Sequence, residues 1–160
     1  MAPNILIQRA MPDDAPAIAV LVGELLSEIM KIVGVPAFNF SLIETTRRLR
    51  EFLEDEKYYG FVAREGKGGN EVGFVALYES YSLYAEGAFG TIPELYVCPE
   101  YRSMGVGRML IDSAKAFGAE KKWKRLEVTT PPLPQFENTL RFYEREQFAI
   151  TGGRKLKVTL

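Results

Sequence analysis

Residues 94–111 read ELYVCPEYRSMGVGRMLI, and the way this stretch divides decides the fold. Its opening residues belong to a longer run, TIPELYV (91–97), whose apolar and β-branched content reads as a strand. Pro99 has no amide to give a ladder and ends the pairing. From Gly105 onward, Val106, Leu110, Ala114 and Phe117 recur at helical spacing, which predicts a helix over about 105–121. Strand, polar loop and helix therefore meet at 102–108. The first turn of a helix leaves several backbone N–H groups unpaired, and the aligned peptide dipoles put partial positive charge there. A phosphate satisfies both conditions. Gly105 and Gly107 leave the backbone open to close approach, and Arg102 and Arg108 add full charges, so the segment suits a pyrophosphate. Taken alone, the glycine pair fits a simple tight turn equally well. It is not a dinucleotide fingerprint, which needs glycine where Leu110 stands, and the chain holds no G-x-x-x-x-G-K-[ST] run.

Outward from this centre, the elements alternate. Upstream, 5–10 (ILIQRA) is a short strand, and Asp13 and Asp14 offer a cap for a helix reaching about residue 31. Ile18, Leu21, Val22, Leu25, Leu26 and Ile29 mark its buried face. A loop with Gly34 and Pro36 spans 30–40, and Ser41 with Glu44 forms a capping-box pattern for a second helix to about 53. Segments 58–64 and 72–81 form a hairpin through GKGGN (66–70), and 82–90 reads as a loop. Downstream come a strand over 125–130, the PPLP turn at 131–134, a helix over 138–146, and a terminal strand pair interrupted by Gly152 and Gly153. The order β-α-α-β-β-β-α-β-α-β-β predicts an α/β mixed sheet with helices on both faces.

Composition narrows the chemistry. One domain over 1–160 is expected for 160 residues. Twenty Lys and Arg stand against 21 Asp and Glu, a net charge of -1 that gives nucleic acid or an anionic membrane no general attraction. No run approaches the roughly 18 apolar residues of a membrane span. The single cysteine, Cys98, excludes an internal disulfide and a cysteine-built zinc site, and a cytoplasmic location is expected. There is no histidine at all, which removes Ser-His-Asp and Cys-His catalysis and histidine metal sites. No metal is expected.

The whole segment 94–111 resembles the cofactor motif of the GNAT superfamily of N-acetyltransferases. There, a strand ending in V-x-P-x-Y-R leads into Q/R-x-x-G-x-G/A at a helix N-terminus. Val97, Pro99, Tyr101, Arg102, Gly105 and Gly107 stand in that register. The family's C-terminal motif, an asparagine followed by F-Y-E, is matched by Asn138 and Phe142-Tyr143-Glu144. The resemblance covers about 72–158. One departure is Gln147-Phe148 where the family usually has Gly-Phe, at a turn that favours glycine.

The resemblance implies a GNAT fold, with a mostly antiparallel central sheet splayed at its fourth strand. It also implies acetyl transfer from acetyl-CoA directly to a primary amine: a small molecule, a peptide N-terminus or a lysine. Pyrophosphate binding falls to the backbone of Arg102, Ser103, Met104, Gly105, Val106 and Gly107, with Arg108 assisting. The pantetheine arm pairs with Leu95, Tyr96 and Val97, where a backbone amide polarises the thioester carbonyl and steadies the oxyanion. Asn138 contacts the arm or caps its helix. Tyr143 protonates the departing thiolate. Glu94, three residues before Val97 where the family often places its base, is either the general base, since an alkylamine of pKa ~10.4 must lose a proton before it attacks, or a strand carboxylate paired with Lys or Arg. Cys98 is a bystander, because the family transfers directly. The aromatic and acidic group Tyr78, Glu79, Tyr81, Tyr84, Glu86 and Phe89 offers charge and cation–π contacts to a cationic acceptor, and the 30–40 loop offers a pocket wall. Dimerisation is common in the family and is an expectation here. The rival functional reading is a non-catalytic acyl-CoA-binding or sensing module, and the motif itself leaves the acyl group open.

Overall fold

The computed structural model describes residues 3–160. The chain forms two compact units, one ending at Thr129 and one spanning Thr130–Leu160.

The first unit runs β1 (Ile5–Arg9), α1 (Ala15–Val33), α2 (Leu42–Glu54), β2 (Tyr59–Glu65), β3 (Glu71–Ser82), β4 (Gly87–Ile92), β5 (Leu95–Val97), α3 (Val106–Glu120) and β6 (Leu126–Val128). The strands make one six-stranded sheet in the order β1-β2-β3-β4-β6, with β5 also on β3. Every pairing is antiparallel except β4 with β6. The long β3 pairs β2 along one edge and divides the other between two partners: Tyr78–Ser82 face β4, and Gly73–Val75 face β5. The single strand expected over 91–97 is thus two strands, and the first begins at Gly87 inside the expected loop. Pro93 separates them, because it has no amide to donate. Pairing resumes at Glu94, whose carbonyl accepts from the Ala76 amide at 2.9 Å. β4 continues to β6 while β5 does not, and this divergence is the splay.

Side-chain alternation builds a core on each face. Val62, Phe74, Ala76 and Tyr96 pack with Ile18 and Leu21 of α1 and Leu49 of α2. On the α3 side, the Phe117 ring meets Tyr59 at 4.8 Å and Trp123 at 5.5 Å. Gly90 is required there, since a Cβ would lie 2.4 Å from the Trp123 ring. The helix ends follow local chemistry. Gly34 closes α1 at φ +77° and donates its amide to the Met30 carbonyl at 2.8 Å. Ser41 Oγ accepts from the Glu44 amide at 3.3 Å, but the Glu44 carboxylate turns to Arg47 instead of completing the box. Asp14 holds the cap position of α1 without capping it. Its carboxylate accepts from the Met11 amide and from Arg64, both on the strand side.

The second unit carries α4 (Glu137–Arg145). Phe136 is its cap residue, so Asn138 lies inside the helix and the capping role for Asn138 is set aside. Gln147 adopts φ +77°, its amide donates to Glu144 and the Phe148 amide donates to Tyr143. That is the complete left-handed helix stop normally given to glycine, closed by Tyr143 and Phe148 rings 5.4 Å apart. Beyond it no further strand forms among the described residues, and 149–160 are exposed. The expected terminal strand pair is corrected accordingly. Gly152 and Gly153 take φ of +92° and +81°, which interrupts an extended run, and without a ladder partner an extended run is not a strand.

Candidate active site

The loop before α3 is shaped by its main chain. Pro99–Tyr101 form a tight helical turn in which the Tyr101 amide donates to Cys98 and the Arg102 amide to Pro99. Ser103 and Gly105 then take φ of +64° and +84°. The first intrahelical bond of α3 runs from the Met109 amide to the Gly105 carbonyl at 3.0 Å. The amides of Val106 and Gly107 precede it and face out of the helix end. These donors, the exposed Ser103, Met104 and Gly105 beside them and the helix dipole fit a pyrophosphate. The Arg102 amide is already engaged.

The Arg102 side chain is also committed. Its Nε donates to the Val97 carbonyl at 2.8 Å, and its terminal nitrogen meets both oxygens of Glu28 at 2.9 and 3.0 Å. The guanidinium lies 5.5 Å from the Tyr96 ring centre. Arg102 therefore staples α1 to β5. Sequence reading gave it a phosphate role and could not see Glu28, 74 residues away.

The register of β5 fixes which backbone groups face where. The Cys98 amide donates to the Val72 carbonyl at 2.8 Å, and the Glu94 carbonyl accepts from Ala76. Alternation then turns the Tyr96 groups toward β3 and those of Leu95 and Val97 away from it. The outward edge suits an extended amide-bearing chain, and Arg102 marks it by filling one acceptor.

On the α1–α2 side of the sheet lies a cavity of about 180 Å³. Its walls include Leu49 and Phe52 of α2, Val22 of α1, Phe74 of β3, Tyr58 and Glu94. Burial pushes the Glu94 carboxyl up to about 7, although a hydrogen bond from Tyr58 opposes the rise. Tyr58 is itself raised by burial and by Glu94, and its ring stacks on Tyr78 at 6.0 Å and meets Phe52 at 5.1 Å. A carboxyl near pH 7 in an apolar enclosure can take a proton and return it.

Other expectations scatter. Tyr78 reaches Tyr58, whereas Tyr84 stacks on Arg125 at 5.1 Å, Phe89 is buried and Tyr81 is exposed. The aromatic and acidic group is therefore not one cluster. No residue of 30–40 lines the cavity; α2 does so with Thr45, Arg48, Leu49 and Phe52. Sequence reading passed over these and Tyr58, although the i, i+3, i+4, i+7 spacing on α2 was the available signal. Cys98 is raised to about 11 by burial and by Glu24, so the thiol keeps its proton at neutral pH. In the second unit, Tyr143 is buried and its hydroxyl pushed above the ordinary tyrosine range, while Asn138 is exposed. Among the described residues, no group of His, Cys, Asp or Glu is arranged to hold a metal.

The profile of the acetyltransferase (GNAT) domain matches residues 56–150, which is more than half of the chain. The chain belongs to the GNAT family. The match spans Tyr58, Glu94, the 102–108 loop and Tyr143. Streptothricin acetyltransferase of Streptomyces lavendulae is 30% identical over 160 residues, covering 91% of this chain and 82% of that one. Thialysine N-epsilon-acetyltransferase of Caenorhabditis elegans is 28% identical over 124 residues, covering 78% and 71%. A predicted acetyltransferase with acetyl-CoA from Clostridium acetobutylicum shares the fold at a TM-score of 0.76 and 15% identity, covering 98% and 96%. This GNAT protein is an acyltransferase by its family. No helix among the described residues is long and apolar enough to cross a membrane.

Proposed function

We propose that the protein moves an acetyl group from acetyl-CoA directly to a primary amine, with Glu94 as general base. The observation that carries this reading is a carboxyl raised to about 7 in an apolar cavity, one residue before the outward edge of β5. Acetyl-CoA supplies the acyl group as an activated thioester. The amides at the start of α3 hold its pyrophosphate, and Leu95 and Val97 present main-chain groups to its arm. Glu94 takes the proton that the acceptor ammonium must lose, directly or through water. Tyr143 is the acid that returns a proton to the leaving sulfur; its raised hydroxyl keeps that proton at neutral pH. The family resemblance and the acetyl-CoA of the Clostridium acetobutylicum structure support acetyl-CoA as donor. In this reading residues 1–160 act as one cytoplasmic catalytic domain without metal, and light scattering determines whether it dimerises.

The test is a thermal shift with acetyl-CoA, CoA and NAD in parallel, followed by thiol release with amines. At about 100 times Kd, linkage adds ~2.7 kcal/mol, a rise of roughly 5–10 °C for a chain of this size. Both CoA ligands shift the melt and NAD does not. A shift without thiol release from any amine supports a binding module instead.

A further inference from the structure

We infer that the acceptor is a compact monoamine, with one ammonium against Glu94 and an apolar body the size of a phenyl ring on a short linker. The inference rests on the acetyl-transfer reading of the same site. Three features of the cavity carry it. Its volume is about 180 Å³, and an apolar cavity of about 150 Å³ is enough to hold benzene. Its walls are side chains such as Leu49, Phe52, Phe74 and Tyr58, which offer a large apolar surface and few hydrogen-bonding atoms. Glu94 is the one carboxylate among its lining residues, and Arg48 is the one cation.

Charge and desolvation then choose among amines. A single ammonium finds Glu94 and the faces of Tyr58 and Phe52. A second ammonium on the same molecule meets apolar walls or Arg48, and a buried unpaired charge is costly. Arg48 is more than half exposed and pairs with Glu44 at 3.8 Å, a carboxylate that Arg47 holds more closely at 2.8 Å, so a cationic group stands at the solvent side of the cavity. A peptide backbone fares no better, because its amides and carbonyls find few partners on these walls. An aralkylamine such as 2-phenylethylamine satisfies the cavity throughout.

The transfer balances. The ammonium gives one proton to Glu94, the nitrogen forms a bond to the acetyl carbon and the carbon–sulfur bond breaks. The nitrogen then sheds its second proton and the sulfur leaves as the protonated thiol, so one proton passes to solvent overall.

Thiol release is measured on the full chain with acetyl-CoA and three acceptors: 2-phenylethylamine, spermidine and a short lysine-bearing peptide. The expected kcat/KM for 2-phenylethylamine exceeds both others by at least tenfold. Thr45→Trp narrows the cavity from α2 and raises KM for 2-phenylethylamine severalfold, while the acetyl-CoA thermal shift stays in place. Arg48→Glu moves the ratio of spermidine to 2-phenylethylamine turnover about tenfold toward spermidine. Preference of the unaltered protein for spermidine or the peptide overturns the monoamine assignment and leaves acetyl transfer standing. An acetyl-CoA shift with no thiol release from any of the three overturns the monoamine assignment, and acetyl transfer falls with it only when a wider panel of amines is also silent. A Thr45→Trp protein that binds acetyl-CoA and keeps its KM for 2-phenylethylamine places the acceptor elsewhere.

Discussion

The loop at 102–108 and the cavity around Glu94 are built from different materials. The loop is main chain: amides ahead of the first α3 bond, two left-handed residues and a helix dipole. The cavity is side chain, drawn from α1, α2, β3 and the Pro93–Glu94 break. A main-chain site tolerates changes of side chain but not of backbone conformation, and it recognises the portion of the ligand that stays constant. A side-chain site is retuned one residue at a time, which suits the portion that varies between enzymes. In the proposed reading, the same division separates what binds from what moves a proton. Glu94 titrates near neutrality because its surroundings are apolar.

The largest expected effect is at the proposed acid, which is among neither the loop residues nor the cavity lining. Tyr143→Phe keeps the ring packed against Phe142 and Phe148 and removes only the hydroxyl. If Tyr143 is the acid, kcat falls about 100-fold with the melting temperature nearly unchanged; unchanged turnover removes it from the mechanism. On the main-chain half, Gly105→Val forces a β-branched residue to φ +84°. Strain of about 1–2 kcal/mol disturbs the turn, and CoA affinity measured by titration calorimetry drops at least tenfold. A changed KM for amine with CoA affinity intact contradicts the division. A smaller effect comes from Tyr58→Phe, which removes the hydrogen bond that holds the Glu94 carboxyl down. The midpoint of the pH–rate curve then moves above 7, with activity above that midpoint reduced a few-fold at most. Smallest is Gln147→Gly, which relieves φ +77° and adds about 0.5–1 kcal/mol in chemical denaturation, with kinetics unaltered.

Much of the fold was legible because its signals are local. The apolar stripe of α1, Ser41 at the start of α2, the 66–70 turn and the glycine start of α3 each lie within a few residues of what they determine. The errors fall where a distant partner decides. β4 begins at Gly87 because β3 and β6 flank it, and the 82–90 sequence alone favours a loop. The terminal run alternates like a strand yet has no ladder among the described residues. Glu94 could be chosen from its offset to Val97, but its enclosure by Tyr58 and α2 depends on packing across 36 and more positions. Arg102 shows the same limit, since Glu28 is visible only once α1 lies beside β5.

The central claim, that Glu94 is the base, is tested most directly by the pH dependence of kcat/KM in the native protein and in Glu94→Gln. Glu94 holds its proton below about 7 and loses it above, so the native rate rises with pH through that midpoint and then flattens or follows the amine. In Glu94→Gln the rise near 7 disappears and activity falls at least about 100-fold. The same rise in both proteins contradicts the account.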